Sequence, residues 1–185
     1  MKHLVAFVCV LLVALLLLTA EILATQIEYV SPKQMGTESS LVVRGKVVDV
    51  RSFWNEGHTK ILTETVVNVD EAYKGQAVPS VRILQLGGVV GTLRMHVHGA
   101  LSWRSGEEVL LFLEPLETGQ HRVSGFSQGK FMIERDPVTG EPFIRRPALE
   151  GAEVLGAPSR DKDPLISQTT KLPLDDFVKE ALGRQ

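Results

Sequence analysis

A succession of β-patterned runs dominates the chain from about residue 39 onward, and turns rich in glycine and proline separate the runs. Residues 41–50 and residues 61–73 are long and rich in β-branched side chains, and Gly45 lies where a bulge or bend would interrupt the first. Residues 109–113 are entirely apolar, which is typical of a central buried strand. The sequence therefore predicts a mainly β fold.

Shorter runs of the same kind follow at close spacing, and between residues 93 and 98 apolar and polar side chains alternate as in a half-buried strand. Residues 136–140 predict a hairpin turn, because proline and glycine occupy positions that such turns favour. We expect residues 39–146 to form one small antiparallel barrel, closed or nearly closed, since closure protects strand edges. The other short runs are residues 81–86, 121–123, 130–134 and 143–146.

An amphipathic helix is predicted for residues 172–183, with Pro173 at its start and Gly183 after its end. Five apolar side chains share one face: Leu174, Phe177, Val178, Ala181 and Leu182. A helix this short is marginal in water, so we expect this face to dock on the barrel. Residues 147–171 are polar and without period, which predicts an extended or poorly ordered linker.

The N-terminal residues 1–24 have the layout of a signal peptide: a basic start, an apolar run over residues 4–18, and small residues at Ala20 and Ala24. The apolar run is short against the ~20 residues that span a bilayer, which favours a cleaved signal over an uncleaved anchor. We therefore expect a secreted, periplasmic or cell-envelope protein. Contact with the membrane is expected only if the segment stays uncleaved.

The only cysteine, Cys9, lies inside this apolar run, so the mature chain is expected to lack disulfides and cysteine ligands. The remaining residues, about 160, are enough to fold on a hydrophobic core alone. This combination fits a bacterial secreted or periplasmic domain. The net charge of −2 gives no reason to expect nucleic acid as a partner, and no cofactor is predicted.

A resemblance to the netrin-like domains is carried by residues 40–47, Ser-Leu-Val-Val-Arg-Gly-Lys-Val, and by Tyr73-Lys74-Gly75 after the second strand. This family includes the tissue inhibitors of metalloproteinases, and the resemblance implies an OB-like β-barrel. Residues 106–113 and 129–131 look like uncharacterised bacterial secreted proteins of the same pattern. Those inhibitors chelate the protease metal through an N-terminal cysteine, and this chain has no cysteine after Cys9, so no inhibitory residue carries over.

Residues 125–129, Gly-Phe-Ser-Gln-Gly, match the nucleophile-elbow pattern of hydrolases. That mechanism needs Ser127 on a strand-to-helix turn, with a histidine later in the chain. The residues after Gly129 have strand patterning, and no histidine follows Ser127. We therefore interpret the motif as a glycine-flanked β-turn, and nothing else in the sequence indicates an enzyme.

His96 and His98 are the candidate metal ligands, because strand periodicity would place both imidazoles on one face. A zinc site needs a third ligand, and Arg94 on the same face opposes a cation. Trp54, Trp103 and Arg94 are the candidate binding residues, since exposed aromatic side chains anchor protein partners. The two tryptophans could instead cap the ends of the barrel.

The hypothesis that the sequence favours is an exported, non-enzymatic binding module whose partner is a protein or an envelope component. The first alternative is an accessory or regulatory domain for a secreted protease, which only the resemblance suggests. The second alternative is a metal-binding protein that uses His96 and His98.

Overall fold

The computed structural model describes residues 25–147, 151–158 and 171–184. The predicted signal segment, residues 1–24, lies outside them, as does Cys9. The helices are α1 (Pro32–Glu38) and α2 (Leu174–Leu182). The strands are β1 (Thr25–Glu28), β2 (Leu41–Trp54), β3 (Ile61–Lys74), β4 (Ser80–Leu86), β5 (Gly88–Val90), β6 (Leu93–Met95), β7 (Glu108–Pro115), β8 (His121–Val123), β9 (Lys130–Arg135), β10 (Pro142–Arg145), β11 (Ala152–Leu155) and β12 (Leu172–Pro173).

Within the described residues, strands β2, β3, β4, β8 and β7 form a closed five-stranded barrel, which confirms the predicted fold class. Neighbouring strands are antiparallel, except that β4 and β8 run parallel where they close the barrel. Five-stranded Greek-key barrels of this kind are the OB type. Strands β9, β10 and β12 extend the sheet beyond β7.

The long strand β2 pairs with β3 along one edge and with β7 along the other. Its pairing with β3 shifts register between Arg44 and Gly45 and again between Val47 and Asp49. A side chain at Gly45 would overlap the carbonyl oxygen of Asn68, so only glycine permits the strands to approach so closely there. The bulge or bend predicted at Gly45 is confirmed as a register shift in this ladder.

Strand β7 explains the entirely apolar run of the sequence, because both of its faces are buried. Leu111 and its alternate neighbours point into the barrel, whereas Leu110 and Phe112 point to the outer face beneath the helices. The barrel interior consists of Leu41, Val43, Val47, Val67, Val81, Ile83, Leu101, Val109, Leu111, Leu113 and Val123.

The C-terminal helix α2 docks on the outer face of the sheet, as its apolar stripe predicts. Phe177 is 3% exposed, and its ring centroid lies 4.8 Å from that of Phe131 and 6.1 Å from that of Phe112. Helix α1 lies beside it so closely that a side chain at Gly36 would overlap the carbonyl oxygen of Ala181. The two helices and this face of the sheet form a second hydrophobic core.

Three local features differ from the sequence expectations. Strand β1 and helix α1 precede residue 39, and β11 forms inside the predicted linker, where it pairs in parallel with β1. Strands β1 and β11 have four residues each and pair across more than 100 positions, so neither has a periodicity that the sequence would show locally. Strand β6 ends at Met95, and Leu93 is 58% exposed because β6 pairs only with β5 in a short outlying hairpin.

Across the residues described, neither helix has the length and apolar character that crossing a membrane requires.

Candidate binding site

A gap opens in the barrel wall where β4 and β8 diverge. Their ladder consists of one residue pair, Ile83 with His121. Beyond that pair, a pocket of about 510 Å³ opens between the end of β4 and the turn that follows β8. We call this gap, between residues 84–86 and residues 123–127, the seam. Its lining is mainly apolar and includes Leu84, Leu86, Val97, Ala100, Leu101, Val123 and Phe126.

Phe126 lies at the edge of the seam in a strained backbone conformation. Its φ is 67°, in the left-handed region that bulky side chains rarely adopt. The amide of Ser127 donates to the carbonyl of Gly125 at 2.8 Å, which closes a γ-turn centred on Phe126. The side chain is 54% exposed, so only part of its surface is buried to set against a strain of about 1–3 kcal/mol. Strained residues of this kind cluster at functional sites, which makes Phe126 a candidate binding residue.

Gln128 holds this turn against the N-terminal part of the domain. Its side-chain amide donates to the carbonyl of Glu28 at 2.7 Å, and its Oε1 accepts from the amide of Val30 at 3.1 Å. Gln128 is fully buried. The ring of Phe126 also contacts the backbone of Gly99, where a Cβ would lie 3.1 Å from its Cε1. The turn is therefore anchored from two sides.

Charges around the seam are few. Arg122 Nη2 lies 2.6 Å from Glu114 Oε2, so this pair is neutral as a unit. Glu38, at the end of α1, also lines the pocket and accepts a hydrogen bond from Gln34. Among the described lining residues, Glu38 is the one charged group without an ion-pair partner. The seam therefore has a slight negative balance.

A second pocket of about 500 Å³ lies on the other side of residues 97–101 and contains three of the sequence candidates. Arg94, His96 and Trp103 all line it. The indole Nε1 of Trp103 donates to Gln85 Oε1 at 2.9 Å, and Gln85 in turn donates to the carbonyl of Leu101 at 2.8 Å. Trp103 is thus fixed in the wall of the pocket by its own hydrogen bond.

Lys130 is a buried cation next to Trp103. Its Nζ donates to Glu107 Oε1 at 2.6 Å and to the carbonyl of Ser102 at 2.7 Å. Burial lowers the pKa of Lys130 below its ordinary value, although the hydrogen bond to Glu107 acts in the opposite direction. This group ties the segment before β7 to the start of β9.

The histidine pair does not form a metal site with other described residues. The rings of His96 and His98 lie edge to face with centroids 4.9 Å apart, in the segment that follows β6. No set of three histidine, cysteine, aspartate or glutamate side chains in the described part of the chain could hold a metal ion. The metal hypothesis stays a prediction without an identified third ligand.

Trp54 lies apart from the other candidates, at the end of β2. Its ring stacks on that of His58 with centroids 6.2 Å apart. The turn between them is closed by Asn55, whose Oδ1 accepts from the amides of Thr59 and Lys60. Trp54 lines neither of the two pockets described above.

The Gly-x-Ser-x-Gly motif is not a nucleophile elbow. Strand β9 follows it, where that mechanism needs a helix, and Ser127 is buried. The strained residue of the motif is Phe126 instead of the serine. Phe126 and Gln128 were not predicted from the sequence, because residues 125–129 were considered only as a possible nucleophile elbow. A large aromatic residue next to glycine in a predicted tight turn was the available signal.

No protein-family model matches the chain, and no curated protein matches it in sequence.

Proposed function

We propose that this protein is an exported, non-enzymatic binding module that recognises an envelope or extracellular protein through the seam. The observation that carries the proposal is Phe126, a large apolar side chain held half-exposed by a strained turn. Its surroundings support this proposal, because an aromatic side chain stands beside a concave apolar pocket.

The features of the site argue for recognition over catalysis. The lining of the seam is mainly apolar, and its Glu114–Arg122 pair is neutralised internally. Regulation of a secreted protease remains an alternative that only the family resemblance suggests. Metal binding through His96 and His98 would need a third ligand that the described residues do not supply.

Capture from an envelope extract tests the proposal with a matched control. The immobilised wild-type protein is compared with Phe126→Ser and with Val138→Ser, which removes an apolar side chain that is 90% exposed in the β9–β10 turn. We expect at least one protein to be retained by the wild type and by Val138→Ser and to be lost with Phe126→Ser. Identical sets of captured proteins for all three would contradict binding at the seam.

A further inference from the structure

Strand β4 has backbone groups that face the seam. In its ladder with β3, the amide of Gly87 donates to the carbonyl of Ile61 at 2.8 Å, so odd-numbered residues of β4 direct their backbone toward β3. Alternation along the strand then directs the amide and carbonyl groups of Leu84 and Leu86 to the opposite edge. That edge is the seam.

Strand β8 presents its backbone to the same gap. The amide of Ser124 donates to the carbonyl of Phe112, so Val123 directs its backbone away from β7 and toward β4. The β4–β8 ladder stops before Val123. Among the described residues, no backbone bond outside the strand ladders involves Leu84, Leu86 or Val123.

We infer that the seam binds a segment of its protein partner as an extended strand, which adds to the edge of β4 beyond Ile83. This inference rests on the proposed function and names the kind of segment that the same site takes. A peptide backbone offers an amide donor and a carbonyl acceptor at strand spacing. It therefore matches the Leu84 carbonyl and the Leu86 amide.

The pocket and its charge define the side chains of that segment. The volume of about 510 Å³ and the apolar lining fit a large apolar side chain packed against Phe126. The Glu114–Arg122 pair is internally neutral, so the carboxylate of Glu38 makes the site slightly negative. Charge complementarity then favours a segment with lysine or arginine near its apolar residue.

A pair of substitutions at residue 86 separates backbone pairing from side-chain packing. Leu86→Ala keeps the amide donor, whereas Leu86→Pro removes it. Because this amide faces the seam, proline there leaves the β3–β4 ladder intact, as at other strand edges. The probe is a ten-residue peptide selected from a phage-displayed random library on the protein purified from an exporting host. We expect Leu86→Pro to bind it about tenfold more weakly than Leu86→Ala does.

N-methylation of single peptide amides tests the same bonds without altering the protein. We expect methylation to weaken binding about tenfold at alternate positions only, because successive amides of a strand point to opposite edges. We also expect the selected peptides to be enriched in lysine or arginine, and the enrichment to fall when selection is repeated on Glu38→Gln.

Two results would overturn strand addition: equal affinity of Leu86→Ala and Leu86→Pro with uniform tolerance of N-methylation, or a library that yields no peptide whose binding depends on Phe126. If Phe126→Ser still abolishes capture of the envelope protein in either case, binding at the seam stands and only the extended-strand mode fails. If Phe126→Ser has no effect on capture either, both proposals fail.

Discussion

The ammonium group of Lys130 lies 4.2 Å from the centre of the Trp103 ring. Lys130 is 1% exposed, so this aromatic face, the Glu107 carboxylate and the carbonyl of Ser102 take the place of its water. The buried cation therefore ties residues 102–107, which lie just before β7, to the start of β9.

Loss of this cation should destabilise the domain. Lys130→Met leaves Glu107, which is mostly buried, without its counter-ion, and we expect the free energy of unfolding to fall by about 3 kcal/mol. Chemical denaturation measures this loss. The double variant with Glu107→Gln should recover part of it, because the unpaired charge is removed. A single variant as stable as the wild type would show that the pair contributes nothing.

Protonation of Glu64 at low pH should lower the stability of the folded protein. Burial alone would raise the pKa of Glu64, but hydrogen bonds from Arg51 and Gln120 outweigh it and hold the pKa below its ordinary value of 4.5. A lowered pKa in the folded state stabilises the protein above pH 4.5, and this contribution is lost as the pH falls through the folded pKa.

Thermal unfolding from pH 7 to pH 3 tests this contribution against Glu64→Gln, which cannot ionise. The midpoint of the wild type should fall more steeply below pH 4.5 than that of Glu64→Gln. Parallel curves for the two proteins would show that Glu64 makes no such contribution.

The docking of helix α2 should account for a large share of the stability. Phe177→Ala opens a cavity between the helix and the rings of Phe112 and Phe131, and we expect a loss of about 3–5 kcal/mol. Val138→Ala, at an exposed turn, serves as the control and should change stability by less than about 0.5 kcal/mol. An unchanged unfolding midpoint for Phe177→Ala would contradict the docked helix.

Local patterns were sufficient to predict most of the architecture. The apolar run of β7 predicted a buried strand, the glycine in β2 predicted a bulge or bend, and the apolar stripe of α2 predicted a helix that docks. Each of these signals lies within a few neighbouring residues. The seam could not be predicted in this way, because it depends on where β4 and β8 part after pairing at Ile83. That divergence is set by strand register and has no signature in either strand alone.

The candidate site shows the same limit. The sequence indicated a tight turn at residues 125–129, and the structure has one. Which of its residues adopts a positive φ depends on contacts outside the turn: Gln128 bonds to the backbone of Glu28 and Val30, and Phe126 contacts Gly99. Arg94, His96 and Trp103 do meet in one pocket, but Trp54 and the seam lie elsewhere.

Relief of the strain at Phe126 should stabilise the protein. Asparagine tolerates a left-handed backbone, so Phe126→Asn should raise the free energy of unfolding by about 1 kcal/mol while removing the exposed ring. Chemical denaturation of the wild type and of Phe126→Asn measures this difference in the free energy of unfolding. A loss of more than about 1 kcal/mol would mean that Phe126 is kept for its packing against Gly99 instead of for binding.

Photo-crosslinking in cells that produce the protein is the sharpest test of binding at the seam. The photoreactive residue p-benzoylphenylalanine replaces Phe126 in one protein and Val138 in another, and both are irradiated in place. We expect a discrete adduct with a second protein from position 126 and none from position 138. No adduct from position 126, or the same adduct from both positions, would contradict it.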